Sequence, residues 1–411
     1  MHKISFYLVA FLFIFWNLTS CHGPNRKPEF KSYLINSKAS DKAHGNIVAA
    51  DFDNDGDNDA MLSNADDNKL YWYEYINDST WKDHLVGYYE HDPTGLAVAD
   101  VDKDGYMDLV MNRAWFRNPG VLQEEPGMPW EMYYYQGGVK SKSCEIVAAD
   151  FDNDSVKDIL CFSEPKRILR WYDAGKPMEW DFYTITDSVH MQIYSGLEPG
   201  GAGDINNDGL PDIVMPFYWY KNPGNKEMKW TKRTWPYQKA DTAGAKQSVL
   251  TWVGDIDEDG DNDIIYAHKN QLLKNSGVFW VENLGEGMEW ETHDISTQVE
   301  GLRAIQSLGM YDFNEDKYPD LFFGSSRYKK EAGSIRTDHR AVILINKGRK
   351  NRVKFDVASI TDSRYDWYRV NFGDVDADGD IDIISKSWNP TSEAWDLVYW
   401  KNILIDYQPE K

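Results

Sequence analysis

A seven-bladed β-propeller, an all-β fold, is predicted by three observations in this 411-residue chain. An acidic motif recurs seven times at near-even spacing, short apolar runs flank every copy, and aromatic residues follow at fixed offsets. A period of roughly 50 residues with several short strands per unit is the signature of propeller blades.

The motif is D-x-[DN]-x-D-x-x-x-D. Its copies begin at Asp51, Asp100, Asp150, Asp204, Asp255, Asp312 and Asp374, with spacings of 49, 50, 54, 51, 57 and 62 residues. A first strand precedes each copy, as in Ile47–Ala50 and Leu96–Ala99, and a second follows, as in Leu109–Met111 and Ile264–Tyr266. Such unbroken apolar runs suit strands covered on both faces by neighbouring blades. A third strand carries aromatics: Trp72-Tyr73, Trp115-Phe116, Trp171-Tyr172, Trp219-Tyr220, Trp280 and Tyr399-Trp400. The fourth strand is an aromatic with a mostly apolar partner five residues on. Its copies are Trp81/Val86, Trp130/Tyr135, Trp180/Ile185, Trp230/Trp235, Trp290/Ile295 and Phe355/Ile360. These rings are read as inter-blade packing and not as a ligand platform.

The last blade has no fourth strand of its own, because the chain after Asp374 has room for three strands and a short tail. Phe30 to Ile35 has the aromatic-plus-five form and precedes the first motif. The N-terminal strand should therefore complete the last blade, closing the ring and removing its open edges. Closure makes residues 30–404 one propeller domain, followed by a 405–411 tail.

Alternating acids with a further acid at position nine converge carboxylates on one point. The four ligand positions are Asp51, Asp53, Asp55 and Asp59 in the first loop, and Asp100, Asp102, Asp104 and Asp108 in the second. They are Asp150, Asp152, Asp154 and Asp158 in the third, and Asp204, Asn206, Asp208 and Asp212 in the fourth. The fifth has Asp255, Asp257, Asp259 and Asp263, and the sixth Asp312, Asn314, Asp316 and Asp320. The seventh has Asp374, Asp376, Asp378 and Asp382. Calcium, a hard cation taking oxygen ligands, is the expected occupant, with a structural role. Without a cation the carboxylates would repel one another. Gly at position six in five copies suits the sharp turn, and the lack of Glu at position twelve separates these loops from EF-hands. The odd positions of the seven loops hold 29 Asp, which accounts for most of the net charge of −23. Seven divalent ions would offset more than half of that charge. Loops one, five and seven, with five Asp each, should bind tightest. The third, with Ser155 at position six, and the sixth, with Lys317 there and Asn314 at position three, depart from the pattern, and the sixth should bind weakest.

Net acidity of this size excludes a nucleic-acid surface, which needs basic charge. At the N-terminus, Lys3 and the apolar run Ile4–Trp16 form a signal peptide over residues 1–20, too short to span a bilayer. Leu18-Thr19-Ser20-Cys21 resembles a bacterial lipobox, which implies lipidation of Cys21 and membrane attachment. Residues 21–29 read as a tether. His22 after the cysteine, with no acidic run to Lys27, points to an outer-membrane lipoprotein, facing the periplasm or the cell surface. Cys144 and Cys161 are expected as buried thiols, with Cys161 opposite a residue near 147.

The seven loops and their strands resemble the FG-GAP/VCBS repeats of integrin α-subunit propellers and exported bacterial proteins. Phe323-Gly324 and Phe372-Gly373 echo the family dipeptide; no Gly-Ala-Pro occurs. The resemblance implies loops on the bottom face whose calcium ions stiffen the blades and take no part in catalysis.

Function should then sit on the opposite, top face. The top loops carry His44, His91, His190, His268, Arg303, Arg327, Arg364, Tyr365, Trp367 and Trp388 as ligand-binding candidates, with Arg113, Lys166, Lys386 and Tyr194 beside them. Exposed Trp367 and Trp388 could stack on sugar rings while Arg and Lys hold acidic groups. Three readings stay open. One is a module binding carbohydrate or another ligand, one a polysaccharide lyase or sugar dehydratase with a His/Tyr/Arg site, and one a protein-interaction scaffold. No short catalytic motif selects among them.

Overall fold

The computed structural model describes residues 26–40, 45–64, 68–89, 95–120, 129–138, 144–189, 196–226, 228–238, 248–269, 277–302, 304–326, 328–329, 335–336, 339–348, 353–362 and 364–406. Seven sheets stand around one axis, each with four antiparallel strands, and a short fifth strand joins the sheet of blade 5 in parallel. Blade 1, from the axis outward, is Ile47–Ala50, Asp59–Asn64, Lys69–Asn77 and Thr80–Tyr88. Its innermost strand touches those of blades 2 and 7, and this neighbour-to-neighbour contact is what closes the ring. In every blade the second strand opens on the ninth loop residue, from Asp59 round to Asp382. The acidic loop is thus the hairpin connection between the two inner strands.

Blade 7 is closed as expected. Its inner strands Arg369–Gly373, Asp382–Asn389 and Ala394–Asp406 are followed outward by the N-terminal strand Arg26–Ser40. That strand is longer than the hydrophobic pattern suggested. The tether placed over 21–29 is strand from Arg26, paired in register with Asp406, so pairing also takes in the first residues of the 405–411 tail. The reason is local: Arg26 forms an ion pair with Glu315 at 2.8 Å, which fixes the polar start of the strand. Residues 1–20 and Cys21 lie outside the described residues.

Blade 4 departs from the pattern. Its first strand is cut to Ala202–Gly203, and Pro199–Gly200 pairs in parallel with the innermost strand of blade 5, Val249–Gly254. Gly200 and Gly203 allow this, since a Cβ on either would lie 2.8 Å or less from Trp252 or Val253.

The aromatics fill the gaps between blades. Tyr135 of blade 2 stacks on Trp180 of blade 3 at 4.4 Å, and Trp367 stacks on Trp400 at 4.2 Å. Each such pair contributes about 0.5–1.5 kcal/mol beyond the area it buries. Cys161 is a buried thiol opposite Ile146, one position from the predicted register.

Candidate functional site

Two regions carry clustered chemistry: the seven acidic loops and the upper half of the axial channel. All loops share one geometry. The first Asp accepts the backbone N–H of position six through Oδ2, at 2.7–3.1 Å. That bond needs a left-handed residue at position six, met by Gly56 at φ 104 but also by Ser155 at φ 71 and Lys317 at φ 79. The missing glycine therefore does not remake the third or sixth loop; the backbone takes the same turn at a cost of about 1–2 kcal/mol.

The ninth Asp has a role that sequence reasoning missed. It is buried in every blade, and both of its oxygens are held by backbone N–H groups. One donor is loop position two, at 2.9–3.3 Å. The other is a residue of the third strand, at 2.7–3.0 Å. That residue is Asn in five blades: Asn118, Asn222, Asn283, Asn346 and Asn402. Each side-chain amide reaches the position-two carbonyl of an earlier blade, as Asn118 reaches Phe52 O at 2.8 Å. The Asp–Asn pair clamps loop, blade and neighbour together. Its signal was present as a recurrent Asn just after the third-strand aromatics.

The remaining loop oxygens point to a cation. Asp51 Oδ1, Asp102 Oδ1, Asp152 Oδ1, Asn206 Oδ1, Asp374 Oδ1, Asp376 Oδ1 and both oxygens of Asp257 are buried without a hydrogen-bond partner. An orphaned buried acceptor costs about 1–3 kcal/mol, so their convergence in six of the seven loops fits a bound metal. Ligand atoms of Asp51, Asp53 and Asp59 lie within 4.8 Å of one another, as do the matching trios of loops two and three. Burial, then repulsion from neighbouring acids, pushes Asp53 and Asp257 up to about 6, Asp57 to about 7 and Asp380 to about 8. An all-oxygen donor set of this kind suits a hard divalent ion. In the sixth loop, Asn314 spends its amide on Asp316 and its oxygen on the Asp316 N–H.

The second region is a cavity of ≈ 100 Å³ on the axis, lined by the innermost strands of six blades and by Glu198 and Pro199 ahead of that of blade 4. It lies four or five residues upstream of each loop, in the top half of the channel. Glu198 and Arg369 face it, joined at 3.4 Å, and Arg369 Nε is buried without a partner. Behind them Glu145 accepts the N–H groups of Gly196 and Leu197 at 3.0 and 2.8 Å, while Glu198 accepts that of Ile146 at 3.2 Å. Burial raises both carboxyls above their ordinary range, with Lys269 opposing it at Glu145 and Arg369 and Lys269 opposing it at Glu198. Asn46, Gln306, Ser307 and Asn371 add polar groups between aliphatic side chains.

None of the described top-face candidates lines this cavity. His44, His91, His190, Arg303, Arg327 and Tyr194 lie outside the described residues. His268 is a core residue, packed on Tyr237, Tyr266 and Phe279 and bonded to Gln238 O at 3.0 Å; burial pushes it down to about 4. Tyr365 and Trp367 are buried, so the expected exposed platform does not exist there. Gly324 makes the room: a Cβ on it would sit 2.6 Å from Trp367 Cβ. Trp388 is half-buried, edge-on to Trp395 at 5.5 Å. Lys386 is buried, and Arg364 is exposed but bound to Asp362 and Ser32, each at 2.7 Å. Arg113 sits over the ring of Tyr134, 5.7 Å from its centroid, and Lys166 is exposed. Glu145, Glu198 and Arg369 had one sequence signal, a charge placed inside or beside a short apolar inner strand.

With fold and loops defined, the class is clear: a seven-bladed β-propeller with acidic inter-strand loops. The FG-GAP-like repeat model matches residues 51–111 and 312–385, which span loops one, two, six and seven. Among solved structures the chain is similar to the β-propeller domain of Cps50 (Swd1) from Myceliophteria thermophila. That match has TM-score 0.51 and 9% identity, covering 90% of this chain and 99% of the other. It is also similar to a lectin from Agrocybe aegerita described in terms of recognition of non-reducing terminal N-acetylglucosamine. Here the TM-score is 0.50 at 16% identity, covering 89% and 97%. At these identities the likeness shows the fold. No curated protein matches the sequence.

Proposed function

We propose that this protein is a calcium-stabilised propeller that binds the end of a carbohydrate chain in the axial cavity. The observation that carries the reading is Arg369, a buried guanidinium whose Nε–H has no acceptor among the described residues. A sugar oxygen or carboxylate entering from the top would supply one. A cavity of ≈ 100 Å³ admits the tip of a ligand and not its length, which favours recognition of a terminus. Mixed amide and aliphatic lining suits a sugar, which presents hydroxyls and C–H faces together. Sugar recognition is also what the Agrocybe aegerita lectin, of similar fold, is described as performing.

A second reading rests on Glu145 and Glu198. Two buried carboxyls raised by burial above their usual range are candidates for acid–base chemistry on a bound polysaccharide. One experiment separates the readings. A glycan array should identify a ligand, and titration of Arg369→Met should show affinity lower by about 10–100-fold. The variant's melting temperature reports whether it folds. Unchanged affinity in a folded variant removes the axial site. Release of shortened or unsaturated sugar by the wild type, lost in Glu198→Gln, establishes the enzyme.

Anchorage is part of the proposal. A lipid on Cys21 would hold the propeller at the outer membrane, on the periplasmic face or the cell surface. Several acyl chains give firm attachment where one is marginal. Cys21→Ser should move the protein to the soluble fraction; retention in the membrane fraction would contradict the anchor.

A further inference from the structure

The residue just before the clamp donor stands beside loop position three or five in blades 2, 3, 4 and 7. It is Glu74, Arg117, Asp173, Lys221, Glu282, Ile345 and Lys401 in blades 1 to 7. Six of these residues fall into two charge classes, and Ile345 of blade 6 is uncharged. Arg117 contacts Asp102 and reaches Asp104 at 3.3 Å; Lys221 reaches Asp208 at 2.9 Å; Lys401 contacts Asp376 and lies 3.7 Å from Asp378. On the acidic side, Asp173 shares a 4.8 Å cluster with Asp152 and Asp154, and Glu74 and Glu282 hold the same strand position in blades 1 and 5. Asp257, 4% exposed with neither oxygen partnered, has the barest carboxylate of the set.

We propose that this single position ranks the seven calcium loops, an acid making a tight site and a tethered cation making a weak one. The inference rests on the calcium reading above. A Lys or Arg seated among the loop acids already neutralises part of their charge, so calcium must displace it and tolerate it nearby. An added carboxylate does the reverse, and calcium affinity follows ligand charge. Loops one and five, with Glu74 and Glu282 and no Lys or Arg paired with a loop acid among the described residues, should be the tightest, loop five ahead of loop one because Lys82 pairs with Glu74 at 3.0 Å. Loop three keeps Asp173, but Lys226 from blade 4 contacts both Asp152 and Asp173 and holds it back. Loop seven, ranked with one and five by its Asp count, drops out because Lys401 fills it.

Calcium titration of the whole protein tests the ranking, with sites located by anomalous scattering at limiting calcium. Wild type should fill loops one and five first. Lys401→Met should raise the affinity of loop seven by about tenfold or more, adding a tight site. Glu282→Gln should weaken loop five while leaving loop one unchanged. If wild type binds no calcium, the calcium reading itself fails. If it binds calcium and loop seven of a folded Lys401→Met variant fills no earlier than in wild type, the ranking alone is overturned.

Discussion

Deleting residues 26–40 is expected to convert a closed monomer into an aggregating or unfolded chain, although those residues look like a dispensable extension. The strand pairs with the last one from Arg26–Asp406 to Ser40–Trp395. At about 1 kcal/mol for each hydrogen bond, this pairing compares with the roughly 5–15 kcal/mol by which a domain is stable. The strand also reaches both neighbours of blade 7. Phe30 meets Phe313 of blade 6 edge-on at 6.3 Å, and Asn36 donates to the Tyr73 hydroxyl of blade 1 at 2.9 Å. Its loss would bare the 13-residue strand Ala394–Asp406 as an open edge, a template for pairing with other chains. Light scattering and thermal melts check this. A truncated protein that stays monomeric with an unaltered melting temperature would show that the strand does not close the ring.

The blades were legible because two local signals agreed in register. The acidic motif marks the hairpin between inner strands, and the apolar and aromatic runs mark what it joins. Even the closing strand was readable, since Phe30 and Ile35 repeat the spacing of Trp81 and Val86. The axial site was not readable in the same way. Glu198 and Arg369 are 171 positions apart and meet only because the ring closes. Loop position was a poor guide to exposure as well. Trp367 belongs to a connection between blades, yet that connection runs across Gly324 and lays its indole on Trp400. His268 ends a strand whose residues are all buried, so its ring is core whatever its chemistry. The Asp–Asn clamp left a trace in the recurrent Asn after the third-strand aromatics, but the bonds from that Asn to the preceding blade exist only in the folded ring.

The largest effect should follow removal of calcium. With the ion gone, the loops keep their clamped ninth Asp but leave inward oxygens such as Asp51 Oδ1, Asp257 Oδ1 and Asp374 Oδ1 unpaired in six of the seven hairpins. Burial and mutual repulsion then hold Asp53 and Asp257 up at about 6. Calcium binding near that pH should therefore release protons, because the ligands must ionise. An ion that binds only the native state adds about 2.7 kcal/mol per site at a hundredfold excess over Kd. Three saturated loops would give about 8 kcal/mol, and a chain of this size moves its melting temperature by about 1 °C per kcal/mol. Thermal unfolding in millimolar calcium and in excess chelator is thus the most direct measurement of whether the acidic loops are metal sites. A fall of about 10 °C or more on chelation, reversed by adding calcium back, is the predicted result. Superimposable melts in the two conditions would contradict it.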